Sequence, residues 1–394
     1  MASATKARHS NGYPFVTNLS LPNGSILLSH YAAQIAPTDV LGPGELHSAQ
    51  HGLFGEVGGI MSTAKKHVRD ANLYPEYRRA AEEEFGDTLW YLAAVCRRCD
   101  VPLEVVFEKV ARDGQYVSAL AASDLPAGPL ATVTVPKVSP ELDMTLASLG
   151  RAAAELLQGA PTMDALVDFA RQYLDAMQAT GLTFSHVIQM NLCKARGAFL
   201  EPDSSDLIDF DAGFEEDERL PSDFQIRIDQ RSTGKSYLQW NGVFIGDPLT
   251  DNIGDSDGYR FHDVFHFANA AILHWSPVVR ALIKHKRKSI AKFDEEQDGG
   301  RAIVVEEGLT AWLFSRAKAL NYFKDEKRVP LGILKIVQEF VAGYEVEQCP
   351  LKLWERSILQ GYAVFRQLRD AKGGWVVGDR AARSLRYEPL ETQA

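Results

Sequence analysis

The sequence predicts a mainly α-helical protein, built from two related helical repeats and a mostly α C-terminal domain that starts with a small β-meander. Three patterns support this fold class. Apolar residues recur three and four positions apart through most of residues 29–200, as on the buried face of a helix. The same spacing returns in the last third of the chain, after a segment (224–248) in which apolar and polar residues alternate as in strands. With 394 residues, 45% of them hydrophobic, the chain is long enough for several folded domains.

Two breaks in the helical pattern divide the chain. Residues 124–141 contain four prolines, and residues 201–218 contain nine carboxylates without any Lys or Arg. Both compositions are typical of linkers. The predicted organisation is an N-terminal tail (1–28), a helical repeat (29–123), a linker (124–141), a second, diverged helical repeat (142–200), an acidic linker (201–221) and the C-terminal domain (222–394).

Charge and composition exclude several classes of protein. The net charge of −10 is concentrated in the acidic segment, and the nearly neutral remainder argues against extended nucleic-acid binding. One basic cluster, Arg280 with residues 284–288, suits either a hydrated helix face or contact with a few phosphates. No run approaches the ~18 apolar residues of a membrane span, the first residues lack the apolar core of a signal peptide, and the four cysteines are too few for a disulfide scaffold. We therefore expect a cytoplasmic protein with no membrane partner.

A fixed spacing relates the two helical repeats. Tyr91 precedes Val105 by 14 residues, and Tyr173 precedes Val187 by the same number within similar apolar surroundings. In this register the second repeat has Leu166 opposite Glu84 and Phe169 opposite Asp87, while Arg112 stands opposite Lys194. The chain is therefore interpreted as two diverged copies of one helical unit.

Three carboxylates in the first repeat are candidates for metal binding. Glu84 and Asp87 are neighbours on one helix face, and Glu56 lies on the preceding helix, where a helical hairpin would bring it close to them. Carboxylates converging in this way suit Mg²⁺, whose other ligands are water and phosphate oxygens. The simpler alternative is a polar helix face. Against it, four glycines stand in these helices at a cost of about 1 kcal/mol each, which indicates close helix approach or room for a ligand: Gly55, Gly58, Gly59 and Gly86.

These two segments resemble the MazG family of all-α nucleoside triphosphate pyrophosphohydrolases, which are relatives of the dimeric dUTPases. The family signature is EExxE on one helix and ExxD on the next. Here the corresponding residues are 55–59, with Glu56 at the second position, and 84–87, with Glu84 and Asp87. The resemblance extends over about residues 25–200 and implies Mg²⁺ or Mn²⁺ as cofactor, a nucleoside triphosphate as substrate, and a monophosphate and pyrophosphate as products.

The resemblance also implies roles for individual residues. Glu56, Glu84 and Asp87 would hold the metal, Glu83 or Glu56 would accept the proton of the attacking water, and the substrate-binding residues would be Lys65, Asn191 and Lys194. Gly55 and Gly59 replace two of the family's glutamates, and the second repeat keeps Glu155 but has lost both acids of ExxD.

Because family members pair as dimers of helical hairpins, we expect an intrachain pseudo-dimer with one composite site. The alternative is a non-catalytic nucleotide sensor that controls the C-terminal domain. The sequence leaves homo-oligomer formation open.

The C-terminal domain contains a second candidate site. His262 and His266 are four residues apart in a helical pattern, a spacing that resembles HExxH with Asp263 in the Glu position and that suits a transition metal such as Zn²⁺ or Mn²⁺. A carboxylate ligand would come from Glu306 or Glu307, with Arg260 and Arg301 nearby. The alternative is a pair of ordinary histidines on an amphipathic helix. This region also resembles a domain found fused to some MazG-type modules, so a metal-dependent hydrolase centred on His262, His266 and Glu306 is a further hypothesis.

Overall fold

The computed structural model describes residues 27–42, 44–70, 73–74, 77–112, 117–118, 133–134 and 141–390. The chain divides into two compact units, residues 1–200 and 201–394, and each has its own buried core. The predicted mainly α-helical class is confirmed. Within the described ranges, no helix combines the length and apolarity that a membrane-spanning segment requires.

The first unit is helical. Most of the predicted tail and most of the predicted linker 124–141 lie outside the described residues. Val133–Thr134 in that linker (β2) forms a short antiparallel pair with Val117–Ser118 (β1). The helices are α1 (Leu28–Ile35), α2 (Leu46–Asp70), α3 (Tyr77–Arg98), α4 (Leu103–Arg112), α5 (Leu142–Glu155), α6 (Met163–Ala179) and α7 (Phe184–Phe199).

The packing of these helices is that of a pseudo-dimer. Helices α2 and α3 form one hairpin, and α5 and α6 form another. The third helices are exchanged, since α4 packs on α6 and α7 packs on α3, while α2 meets α5 and α1 contacts both α4 and α7. If each helix of the first repeat is exchanged with its counterpart in the second repeat, the same main set of contacts results. It is the arrangement that the predicted sequence repeat requires.

In the second repeat, the residues that correspond to Glu84 and Asp87 are apolar and contribute to the buried core. Leu166 and Phe169 are completely buried, and the adjacent Tyr173 donates its hydroxyl to the carbonyl oxygen of Phe85 at 2.9 Å. An unpaired carboxylate would be costly in such a core. The helical unit therefore has room for one acidic site of this kind, not two.

The second unit contains a five-stranded antiparallel sheet with strand order β5-β4-β3-β6-β7. Strands β3 (Asp223–Gln230), β4 (Ser236–Trp240) and β5 (Val243–Leu249) form the predicted meander. Strands β6 (Gly373–Asp379) and β7 (Ser384–Glu388) come from the end of the chain and were not predicted. Strand β6 is buried on both faces and contains three glycines, so it lacks the alternation by which a strand is recognised.

Helices cover this sheet. The long helix α13 packs on α8 and on strands β6 and β7. Helix α8 continues into a buried π-helical segment, Asn269–Leu273, a wider turn that is often found at functional sites. The helices are α8 (Asp263–Ala268), α9 (Pro277–Ile283), α10 (Ala291–Glu296), α11 (Gly300–Ala319), α12 (Leu331–Phe340) and α13 (Leu351–Ala371).

The acidic segment 201–221 is not the solvated linker that its composition predicted. Phe210, Phe214 and Leu220 are buried, and the carboxylate of Asp211 forms ion pairs with Arg280 and Arg380. The apolar residues between the acids provide the packing, and the two arginines neutralise Asp211, which is 1% exposed. The second unit therefore begins close to residue 201 rather than at residue 222.

The basic cluster is not a hydrated helix face either. Arg280 is 1% exposed and Arg287 is fully buried. The Arg287 guanidinium lies 2.7 Å from Asp298 and 2.6 Å from Glu345. Only the outer lysines of the cluster, such as Lys288, are exposed. The two buried arginines are structural ion-pair partners and do not form a phosphate-binding surface.

Candidate functional sites

The first candidate site lies where α2 and α3 meet α7. Glu56 of α2 is hydrogen-bonded to Glu84 of α3, and Asp87 follows Glu84 one helical turn later. Gly59 makes this approach possible, because a Cβ atom at that position would overlap the carboxylate of Glu84. The structure therefore brings together the three acids that the sequence predicted.

Helix α7 contributes the polar groups that face these acids. Lys194 Nζ lies 2.8 Å from Glu83 Oε1 and also pairs with Asp87. Asn191 Nδ2 donates to Asp87 Oδ1 at 3.2 Å. The two helices approach closely at Gly86, where a Cβ atom would lie 2.8 Å from the Cβ of Asn191. The residues from the two repeats thus form one composite polar cluster.

One residue of this cluster was not predicted. Tyr31 of α1 is fully buried and donates its hydroxyl to Asn191 Oδ1 at 2.7 Å. Because the amide oxygen accepts this hydrogen bond, the amide nitrogen of Asn191 is directed at Asp87. In the sequence, Tyr31 is one more large residue on the apolar face of an amphipathic helix, so no pattern distinguishes it from the core.

The acids and Lys194 shift each other's pKa values. Burial raises the pKa of Glu56 to about 7, and the negative charges of Asp87 and Glu84 contribute to the same shift. Burial opposes the charged form of Lys194, but the charges of Asp87 and Glu83 outweigh it and hold the lysine pKa above its usual value. Lys194 therefore neutralises the negative charge of the acids in this cluster only in part.

The two remaining predicted residues, Glu83 and Lys65, have different surroundings. Glu83 pairs with Lys194, whereas Lys65 is exposed on α2. A shallow pocket opens on the Glu83 side, lined by Arg79, Glu82, Glu83, Met190, Asn191 and Lys194. This pocket borders the cluster on the side that carries Lys194.

The second candidate site joins α8 and α11. His262, which caps α8, has its Nε2 3.6 Å from Glu307 Oε2, and His266 Nε2 lies 3.4 Å from the same oxygen. His262 Nδ1 lies 2.9 Å from the carbonyl oxygen of Tyr259. Since a carbonyl oxygen can only accept, Nδ1 of His262 is the donor and its Nε2 faces Glu307.

Glu306 has a different environment from its neighbour Glu307. It is fully buried and accepts hydrogen bonds from Asn269 Nδ2 at 3.1 Å, from the Ser276 hydroxyl at 2.8 Å and from the Val278 N–H at 3.0 Å. His266 Nδ1 lies 3.0 Å from its Oε1. Ser276 and Asn269 were not predicted, and the latter stands on the π-helical segment. Glu306 is thus an anchor for the His266 ring rather than a free carboxylate.

Asp263 completes this group. Within the described part of the chain, His262, Asp263 and His266 are the one set of three potential metal ligands whose donor atoms all lie within 4.8 Å of one another. The acids of the helical unit do not reach that closeness. Burial raises the pKa of Asp263. Burial opposes protonation of His266, but Glu306 and Glu307 outweigh it and raise the pKa of His266 to about 10.

Two predicted members of the second site lie elsewhere. The Arg260 guanidinium forms a bidentate pair with Asp251, at 2.7 and 2.8 Å. Arg301 is exposed near the start of α11. Both were expected because they lie in the same two segments as the histidines and the glutamates, but Arg260 is held by Asp251 and Arg301 is exposed.

The comparisons with known proteins identify the second unit only. No curated protein and no solved structure matches the chain, and no match identifies the helical unit. Residues 205–391 match the family model described as the MazG C-terminal domain. The match begins inside the acidic segment and spans the whole sheet, in agreement with the packing of Phe210 and Phe214. The second unit of this chain therefore carries a MazG C-terminal domain.

Proposed function

We propose that the helical unit is a Mg²⁺-dependent nucleoside triphosphate pyrophosphohydrolase. The observation that carries the proposal is the single composite cluster, in which Glu56, Glu84 and Asp87 of one repeat face Asn191 and Lys194 of the other. The sequence resemblance to MazG-type enzymes and the MazG C-terminal domain on the same chain support it.

The expected reaction is attack of water on the α-phosphorus of the nucleotide. The bond from that phosphorus to the bridging oxygen breaks, and pyrophosphate leaves while the nucleoside monophosphate remains. A Mg²⁺ ion held by Glu56, Glu84 and Asp87 would supply charge neutralisation of the phosphate oxygens. Glu56 is one candidate acceptor for the proton of the attacking water. Glu83 is the alternative base.

Lys194 has a position from which it can change partners. It now neutralises Asp87 and Glu83. A divalent cation on Asp87 would compete with its ammonium group, which would then be available for a phosphate oxygen at the open edge of the cluster. Asn191 would keep the orientation that Tyr31 gives it.

A nucleotide sensor without catalysis is the second candidate. It is favoured by the glycines at positions 55 and 59, where the MazG family has glutamates. It is also favoured by the ion pair with Lys194 and the hydrogen bond from Asn191 that Asp87 already makes. Such a module would bind the same substrate and use it to control the C-terminal domain.

Pyrophosphate release from a panel of NTPs and dNTPs with Mg²⁺ tests the proposal. We expect turnover of at least one nucleotide, and a loss of at least about a hundredfold in the double variant Glu84→Ala/Asp87→Ala. The matched control is Asp164→Ala/Asp168→Ala, which removes two exposed acids of α6 and should leave the rate unchanged.

A second pair of variants tests the composite nature of the site. Lys194→Met should abolish release, whereas Lys109→Met, at an exposed position of α4, should not. Full activity of Lys194→Met would contradict the composite site. Nucleotide binding without release would favour the sensor, and a folded protein that neither binds nor hydrolyses any nucleotide would exclude both functions.

A further inference from the structure

The second unit contains a cluster of potential ligands that the nucleotide chemistry does not use. His262 Nε2 and His266 Nε2 both point at Glu307 Oε2, at 3.6 and 3.4 Å. We propose that His262, His266, Asp263 and Glu307 bind one divalent transition-metal ion, with Zn²⁺ or Mn²⁺ as the expected class. The proposal concerns residues of the second unit and is independent of the function assigned to the helical unit.

Two unsatisfied polar groups support this site. Asp263 is 8% exposed, and no hydrogen bond or ion pair to it is found among the described residues. His266 is fully buried, and within the same ranges its Nε2 makes no hydrogen bond of good geometry, although Glu307 Oε2 lies 3.4 Å away. Unpaired buried polar groups are costly. A cation between the two imidazoles and the carboxylates would satisfy these groups together.

The surroundings hold the imidazoles in the orientation that metal binding requires. The Tyr259 carbonyl accepts from Nδ1 of His262, and Glu306 lies 3.0 Å from Nδ1 of His266. Glu306 is itself fixed by Asn269, Ser276 and the Val278 N–H. A carboxylate behind a histidine ligand is a common arrangement at zinc sites, where it fixes the tautomer and the ring orientation. Both Nε2 atoms are thus left as metal-binding lone pairs.

The donor set also indicates the kind of ion. Imidazole nitrogens favour zinc and other transition metals, whereas Mg²⁺ prefers an all-oxygen environment. The Glu307 side chain is 39% exposed, so the ion could be reached from solvent. The competing explanation is a metal-free cluster in which protons alone join His266 to Glu306 and Glu307.

Titration of the metal-stripped, full-length protein with Co²⁺ and Zn²⁺ distinguishes these explanations. We expect one Co²⁺ per chain whose visible absorption bands are those of a nitrogen-ligated ion, separate from any ion held by the carboxylates of Glu56, Glu84 and Asp87. Zn²⁺ should compete with it. Affinity should fall at least tenfold in His262→Gln and in Glu307→Gln. The control Glu339→Gln changes an exposed acid of α12 and should bind as the wild type does.

The same titration of the Glu84→Ala/Asp87→Ala variant separates this site from the helical unit. The proposed ion should bind to that variant as it does to the wild type, whether or not the wild type releases pyrophosphate.

The variant Glu306→Gln tests the positioning role of Glu306. We expect the binding stoichiometry to be kept, the affinity to be lowered about 10- to 100-fold and the Co²⁺ bands to be shifted. A folded wild-type protein that takes up no stoichiometric Co²⁺ or Zn²⁺, or binding that survives both His262→Gln and Glu307→Gln, would overturn the proposal.

Discussion

In the second unit, burial and neighbouring positive charge together set the protonation of His274. It follows the π-helical segment with a left-handed backbone, φ 59°, and its Nε2 donates to the carbonyl oxygen of Arg380 at 2.9 Å. Burial lowers the pKa of His274 to about 4, and the positive charges of Arg383 and Arg380 act in the same direction. The folded protein therefore holds this imidazole neutral under conditions where the unfolded chain would protonate it.

This difference predicts a pH dependence of stability. The unfolded pKa of histidine is about 6.5, so the contribution of His274 is complete above that pH and is lost as the pH falls towards 4. His274→Asn removes the titration, and asparagine tolerates the left-handed backbone. Thermal melts at pH 7.5 and pH 5 should show a smaller loss of Tm in the variant than in the wild type. Equal losses in both proteins would contradict the assignment.

Single residues also show where the sequence stops being informative. The proximity of His262 to His266 and of Glu84 to Asp87 was predictable from their spacing, and metal binding at either place stays a prediction. The choice between Glu306 and Glu307 was not predictable, since adjacent acids carry the same pattern. Their roles differ because Ser276 and Asn269 enclose only Glu306, and those contacts join residues about 30 or more positions apart.

The glycines of α2 differ in what surrounds them. A Cβ atom at Gly55 or Gly58 would meet nothing within 4 Å, whereas at Gly59 it would overlap the Glu84 carboxylate. The sequence predicted either close helix approach or room for a ligand. Within this unit, Gly86 provides the close approach, and Gly59 provides room for a side chain of the site itself.

This contrast gives a matched pair of variants in one helix. Gly58→Ala should raise the free energy of unfolding by about 1 kcal/mol through helix propensity and leave pyrophosphate release unchanged. Gly59→Ala should gain a similar amount of helix propensity, but it must displace the flexible carboxylate of Glu84, so release should fall strongly. Denaturant unfolding and the release assay measure both effects. A fully active Gly59→Ala protein would contradict the role given to the position of Glu84.

Secondary structure was predictable where one face of an element is buried. The amphipathic helices of the first unit and strands β3 and β4 have such a face. Strand β6, buried on both faces, and the acidic segment around Asp211 do not. In each case the deciding contacts come from distant residues, such as the pairing of Ile226 with Val376 and of Asp211 with Arg280.

At the scale of the whole molecule, these distant contacts define the limits of the second unit. Strand β3 lies at the centre of the sheet and pairs with β6 over its whole length, from Asp223 opposite Asp379 to Asp229 opposite Gly373. At the start of the second unit, the acidic segment is attached to the rest of the unit by the ion pair between Asp211 and Arg280. A fragment that folds must therefore contain both the acidic segment and the last two strands.

Truncation of the second unit tests these limits. Fragment 201–394 should unfold cooperatively, whereas fragment 222–394 should be several kcal/mol less stable, because it exposes the packing surfaces of Phe210 and Phe214 and leaves Arg280 buried without Asp211. Fragment 201–372, which lacks β6 and β7, should not fold, since β3 loses the partner that pairs with it along its full length. Far-UV circular dichroism during thermal unfolding compares the three. Equal melting temperatures for 201–394 and 222–394 would show that the acidic segment is a linker after all, and would restore the boundary at residue 222.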